Sequence, residues 1–271
     1  MAQRVHLEQG NKVVFAVSLD WPGWCRAGRN ADDALAHLRD YAPRYSSIVT
    51  TDLATDDFVV LGSVAGNSTT DFGASRALGP WDDLRASPEN HLAHVAVLRK
   101  CWRHFDAVVA RAPAELVKGP RGGGRDRDQM VDHVREAERV YASRTGLRIA
   151  PRTPWPSQRT LLAEHLLSDY EDAKWPPEFA MRVMAWHVVD HAWEIEDKTP
   201  YPCAICSGQA GEVCQFFDDA VEELAVTRDR PHVVAEEFET DGPEQIRPRH
   251  EGAHEMLWSD VGHRRGESVD L

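Results

Sequence analysis

His187 and His191 stand four residues apart in the segment MAWHVVDHAWEIED. On an α-helix that spacing places both imidazoles on one face, one turn above the other, where both reach a single ion. Val183, Met184, Val188 and Ile195 surround the pair. Such an apolar helix points the two rings into or along a packed interior and away from bulk water. A third histidine, His133, follows Met130 and Val131 near the start of an earlier helical segment, DQMVDHVREAERVYASRTG. In a bundle, one turn of that segment can face one turn of the other. Three neutral imidazoles around a cation, with a position left for water, is the ligand set of catalytic zinc sites. Imidazole ligands suit Zn²⁺ or Ni²⁺ and admit Fe²⁺ or Mn²⁺. A His-x3-His pair alone is more often chance than a metal site, so His133 and the helix order carry the argument. Glu136, Glu138, Asp190, Glu194 and Trp186 are the neighbours that could orient ligands or line a pocket, with solvated or packing roles as the alternative.

Other segments carry chemistry-bearing residues with weaker spacing. HEGAH, residues 250–254, matches the His-Glu-x-x-His pattern of zinc peptidases, but Gly252 and Pro248 weaken the helix which that pattern needs. Cys203 and Cys206 form CAIC, half of a structural zinc site or a redox pair, which Cys214, His250 or His254 could complete. Two ordinary thiols at the start of a helix are the favoured reading there. GPRGGGR, residues 119–125, is rich in glycine but lacks the Gly-Lys-Ser/Thr ending of a phosphate loop. It reads as a flexible, basic loop between helices, near a pocket mouth where an anionic thiol could dock. Asp71 in TTDFGA sits in a turn-rich stretch with no kinase context, so that apparent motif carries no weight.

For the histidines to meet, the chain must supply helices, and the hydrophobic spacing does so. Ser87 and Pro88 form an N-cap with proline at the first helical position, and Leu92, Val95, Leu98, Trp102, Phe105 and Val109 repeat at helical intervals until Pro113. In the His133 segment Met130, Val134, Ala137 and Tyr141 share a face, and Gly146 suits the position just past the helix end. A third helix, SQRTLLAEHLLSDYEDA, is capped by Ser157 and stops before Pro176 and Pro177. The His187 segment begins with that proline pair and runs to about Asp197, and SGQAGEVCQFFDDAVEELA from Ser207 makes a fifth helix. Helices of this length joined by short loops describe an up-and-down bundle over residues 87–226. The stretch 227–271 loses periodicity and gains charge, Pro and Gly, as a flexible tail does, although VVAEEF could add a short strand.

The first 82 residues have a different character. KVVFAVSLD is strand-like, WPGW supplies a turn through Pro22 and Gly23, and NADDALAHLRDYAPRY is an amphipathic helix capped by Asn30 and ending before Pro43. FVVLGSV, from Phe58, reads as a second strand. Residues 1–82 therefore read as a small α+β unit, and the fold class as α+β in two domains.

Two resemblances follow from these residues. The order strand, Pro-Gly turn, Gly28 and acidic, Ala-rich helix start in VVFAVSLDWPGWCRAGRNADDALAHL resembles the HicB-like fold. That resemblance implies a fold, with a protein-partner role as the rival to enzyme function. No DNA-binding pattern accompanies it. The helix order with MVDHVREAERVY and MAWHVVDHAWEIED resembles the DinB-like (YfiT-like) superfamily over roughly residues 88–225. This resemblance implies a divalent metal held by His133, His187 and His191. It further implies transfer, isomerisation or hydrolysis of a small molecule with a low-molecular-weight thiol such as mycothiol, bacillithiol or glutathione, and relatives that often dimerise.

Bulk properties narrow the partners. With 31 basic against 44 acidic side chains the net charge is −13, which repels phosphate backbones and anionic lipid, so no nucleic-acid or membrane partner is expected. The beginning, MAQRVHLEQGNK, has no apolar h-region, and no stretch reaches the roughly 20 apolar residues of a membrane span, so the expected compartment is the cytoplasm. The five cysteines, an odd number, are expected as reduced thiols.

Overall fold

In the computed structural model of the chain, which describes residues 2–55, 57–82, 86–119, 123–168, 170 and 173–200, the β-branched run before WPGW lies in a four-stranded sheet. The strands are β1 (Gln3–Gln9), β2 (Val14–Ser18), β3 (Cys25–Gly28) and β4 (Phe58–Ala65), in the order β3-β2-β1-β4. β1 and β3 each pair antiparallel with β2, whereas β1 and β4 are parallel. A parallel partner needs a crossover, and the helices α1 (Ala31–Asp40) and α2 (Ala42–Val49) lie within it.

Strand alternation gives the sheet two different faces. Val5, Leu7 and Ala16 share one face, where Trp24, Ala34 and Leu38 join the same buried cluster as α1 packs on β2 and β3. On the other face His6 lies opposite Val17 and Glu8 opposite Phe15. Phe15, Val17 and Cys25 there pack with Trp186. Asn30 caps α1 by accepting from the Asp33 amide at 2.9 Å. α1 ends before Pro43 as expected, and a second helix, α2, begins at once. Pro43 sits in the first turn of α2, where its missing N–H is harmless.

After the short α3 (Ser68–Asp71) come α4 (Pro88–Arg111), α5 (Arg127–Arg144), α6 (Trp155–Leu167) and α7 (Pro177–Asp197). α7 packs against α4 and α5, and α6 closes against the same two helices. Ser87 caps α4 as expected, through the Asn90 amide at 3.3 Å. Ser157 does not cap α6. That helix begins two residues earlier behind Pro154 and ends at Leu167, well short of Pro176.

The class is α+β, and one buried cluster runs from Val5 and Trp24 through Tyr45 and Leu98 to Met184 and Trp193. Residues of the sheet unit touch a single stripe of α7. Asp82 pairs with Arg182, Phe15 meets Trp186 edge-on, Arg26 pairs with Asp190, Tyr41 packs on Trp193, and Arg44 pairs with Asp197. Gly23, at φ +101, lets the WPGW turn approach this helix, since a Cβ there would lie 3.1 Å from Ala185. Among the described residues no helix is long and apolar enough to cross a membrane. The expected fifth helix, CAIC, HEGAH and the tail at 227–271 lie outside the described residues.

Candidate metal centre

Both histidine-bearing helices are fixed by their surroundings before the histidines are reached. At the start of α5 the Asp126 carboxylate accepts from the Leu116 amide at 3.1 Å and pairs with Lys118 at 2.6 Å. The Asp126 amide donates to Gln129 at 3.0 Å. About three turns further along, beyond His133, Glu138 points away from the histidines and toward α6. It is fully buried, held bidentately by Arg159 and accepting from Trp155 Nε1 at 2.6 Å. α7 is buried on nearly every side, which sets His187 and His191 in place from all directions.

His133, His187 and His191 come together, with one ring nitrogen from each lying within 4.8 Å of the others. The Nε2 atoms of His133 and His187 are 3.2 Å apart. In a tetrahedral site with Zn–N of 2.0–2.1 Å, neighbouring nitrogens are about 3.3 Å apart, so this pair already has ligand spacing. Closing the widest pair to that value requires a movement of about 1.5 Å. The rings of His133 and His187 both stand nearly perpendicular to that of His191, at centroid distances of 4.8 and 4.5 Å.

Electrostatics favours the form that a cation needs. Burial, reinforced by His191, His133, Arg76 and Arg125, pushes the His187 pKa well below the ordinary imidazole value, so the ring is neutral at physiological pH. Metal ligation requires that neutral form. His191 Nδ1 lies 2.9 Å from Glu194, whose other oxygen accepts from Lys198 at 2.9 Å. Burial alone would raise Glu194, but the hydrogen bonds and charges of His191 and Lys198 hold it down at about 2. An ionised carboxylate behind Nδ1 fixes the proton there and leaves Nε2 bare for a ligand role.

Of the other expected neighbours, Glu194 is the one that supports a histidine. Asp190 turns to Arg26 at 3.1 Å, Glu136 pairs with Arg139 on its own helix, and Glu138 serves the Arg159 pair. Trp186 packs on Phe15, with its ring 6.4 Å from that of His187. Asp71 accepts from the Lys12 amide at 2.8 Å and ties α3 to the β1–β2 turn. Cys25 and Cys101 are buried free thiols, with Cys101 pushed up to about 12 by burial, so neither is a ready nucleophile.

Two residues near the histidines were not among the site residues expected from the sequence. Tyr141 contacts His187 edge-on at 5.4 Å, and its hydroxyl accepts from Arg76 at 2.6 Å. Tyr141 could have been found, because eight positions after His133 returns to the same face of a helix. Arg76 could not, because it lies in an irregular stretch. Glu8 holds that stretch, its carboxylate accepting from Thr70 at 2.5 Å, Ser75 at 2.7 Å, the Arg76 amide at 3.2 Å and the Ala77 amide at 3.0 Å. Comparisons with family models, curated proteins and solved structures returned no match to this chain.

Proposed function

We propose that the chain is a DinB-like metalloprotein in which His133, His187 and His191 hold a divalent cation, Zn²⁺ or Ni²⁺ being best suited. The activity proposed with it is thiol-dependent transfer, isomerisation or hydrolysis of a small molecule in the cytoplasm. One observation carries the metal reading: three ring nitrogens from two helices converge within 4.8 Å, and burial keeps the His187 ring neutral. The thiol chemistry rests on the resemblance of the helix order and histidine spacing. A bound divalent cation supplies Lewis acidity, bringing a coordinated thiol or water toward ionisation near neutral pH. The chain's own groups prepare the place, with Glu194 fixing the His191 tautomer and Tyr141 walling one side of His187.

Metal analysis of protein purified without a histidine tag tests the reading. About one equivalent of a transition metal per chain is expected, falling to a small fraction in His133→Ala and His187→Ala. A wild-type chain that neither carries metal nor takes up added zinc or nickel would remove the centre altogether. Turnover assays with a panel of thiols, esters and amides then test the reaction. Metal-loaded protein inert to all of them would leave a metal-binding or partner-binding role in place of the enzyme.

A further inference from the structure

We infer that Arg76, beside the three imidazoles, takes the carboxylate of a small organic acid whose second donor atom is presented to the cation. The inference rests on the metal reading above and adds the class of ligand.

Charge is the first argument. Imidazole ligands bring no negative charge to a divalent ion, and the carboxylate that bonds one of these histidines, Glu194, is already matched by His191 and Lys198. Arg76 adds a further positive charge beside His187. In a chain of net charge −13 this is a local reversal of sign, and it favours an anionic ligand.

The guanidinium itself supplies the second argument. Its Cζ lies 5.1 Å from the centroid of the Tyr141 ring, the same ring that touches His187. One terminal nitrogen donates to the Tyr141 hydroxyl, while Nε is buried with no acceptor among the described residues. Arginine carries five donors in a planar fork that matches a carboxylate through two parallel hydrogen bonds. A buried donor left without an acceptor is uncommon in folded proteins, and a ligand oxygen satisfies it.

The third argument is how Arg76 is held. Glu8, fully buried on β1, accepts four hydrogen bonds from the segment Thr70–Ala77 that carries the arginine. A polar anchor of that size, on a sheet face shared with His6, Phe15, Val17 and Cys25, fixes a backbone position. The sheet unit thereby contributes a recognition residue to a centre whose metal ligands all come from the bundle.

The test uses the cobalt-substituted full-length protein and a matched pair of probes, 3-mercaptopropionate and its neutral amide, 3-mercaptopropionamide. Thiolate-to-cobalt charge-transfer absorption reads binding without any turnover. The acid is expected to bind at least about tenfold more tightly than the amide, in line with a charge-assisted bidentate contact. Arg76→Met should bring the two to within about twofold, and Arg76→Lys should restore part of the preference. The cobalt spectrum before thiol is added should be the same in both variants, which separates recognition from a packing role beneath Tyr141. Equal affinities in the wild type, or a preference that survives Arg76→Met, would overturn the inference and leave the metal reading standing. Failure to bind cobalt at all would take both down together.

Discussion

Replacing His187 with leucine separates a metal ligand from an ordinary core residue by the sign of its effect. His187 is 6% exposed, and its Nε2 meets His133 Nε2 at 3.2 Å. Leucine is close to it in volume and removes a buried polar ring, while His133 is half-buried and can turn its nitrogen to water. Burying a poorly matched polar group costs about 1–3 kcal/mol. In the presence of a chelator, His187→Leu should therefore be as stable as the wild type, or more stable by up to about 1 kcal/mol. With zinc at a hundredfold excess over its dissociation constant the wild type should gain about 2.7 kcal/mol by mass action. The leucine variant should gain nothing measurable. Urea titrations followed by tryptophan fluorescence, with and without zinc, read both quantities. An undiminished zinc increment in the variant, or a loss of several kcal/mol in chelator, would refute the reasoning, since either makes His187 a structural residue.

Three further perturbations follow from the same geometry. Glu194→Ala removes the carboxylate behind His191, and zinc affinity measured against a chromophoric chelator should fall by about 10–100-fold. Burial, with help from Arg182, holds His6 at about 3 against 6.5 for a free imidazole, so between those values the unfolded chain binds a proton that the folded chain does not. Stability should then decline as pH falls through that window, by on the order of 1 kcal/mol per unit, and His6→Leu should flatten the slope in urea titrations at several pH values. Gly23→Ala adds a Cβ at φ +101, 3.1 Å from Ala185, and should destabilise by about 1–3 kcal/mol, read as a lower urea midpoint.

The histidine centre was legible because helices convert spacing into direction. A four-residue interval on an apolar segment places two rings on one face, and the capped, periodic segments before it place His133 within reach. Glu194, three positions past His191, obeys the same rule. What the sequence hid lies in the sheet and the loops. β1 escaped notice because Gln3, Arg4, His6, Glu8 and Gln9 give it the composition of a solvated strand, yet His6 and Glu8 are buried. Their burial depends on α7 and on residues 70–77, which no local pattern connects to them. Arg76 is invisible for the same reason, since four hydrogen bonds to a residue 68 positions away decide where it points. The start of α6 was misplaced because serine is the better cap by propensity, whereas proline's fixed φ is already suited to the first turn of the helix.

The stripe Arg182, Trp186, Asp190, Trp193 and Asp197 advances by three or four residues along α7, and each member touches the sheet unit, while His187 and His191 stand on the adjacent stripe. One helix thus faces the sheet and the metal centre together, and its rotation sets both. Removing residues 1–86 would strip the cover from Trp186 and Trp193, which are 7% and 2% exposed in the intact chain. Two tryptophans at about 150–250 Å² each, at about 25 cal/mol per Å², correspond to on the order of 10 kcal/mol of hydrophobic stabilisation. That is comparable to the whole stability of an ordinary domain. The helical part alone should therefore lack a cooperative unfolding transition and bind zinc far more weakly than the intact chain, as read by calorimetry on both. A truncated protein that unfolds cooperatively and keeps the intact affinity would show that the bundle positions its histidines without the sheet, and the coupling argued from this stripe would be wrong.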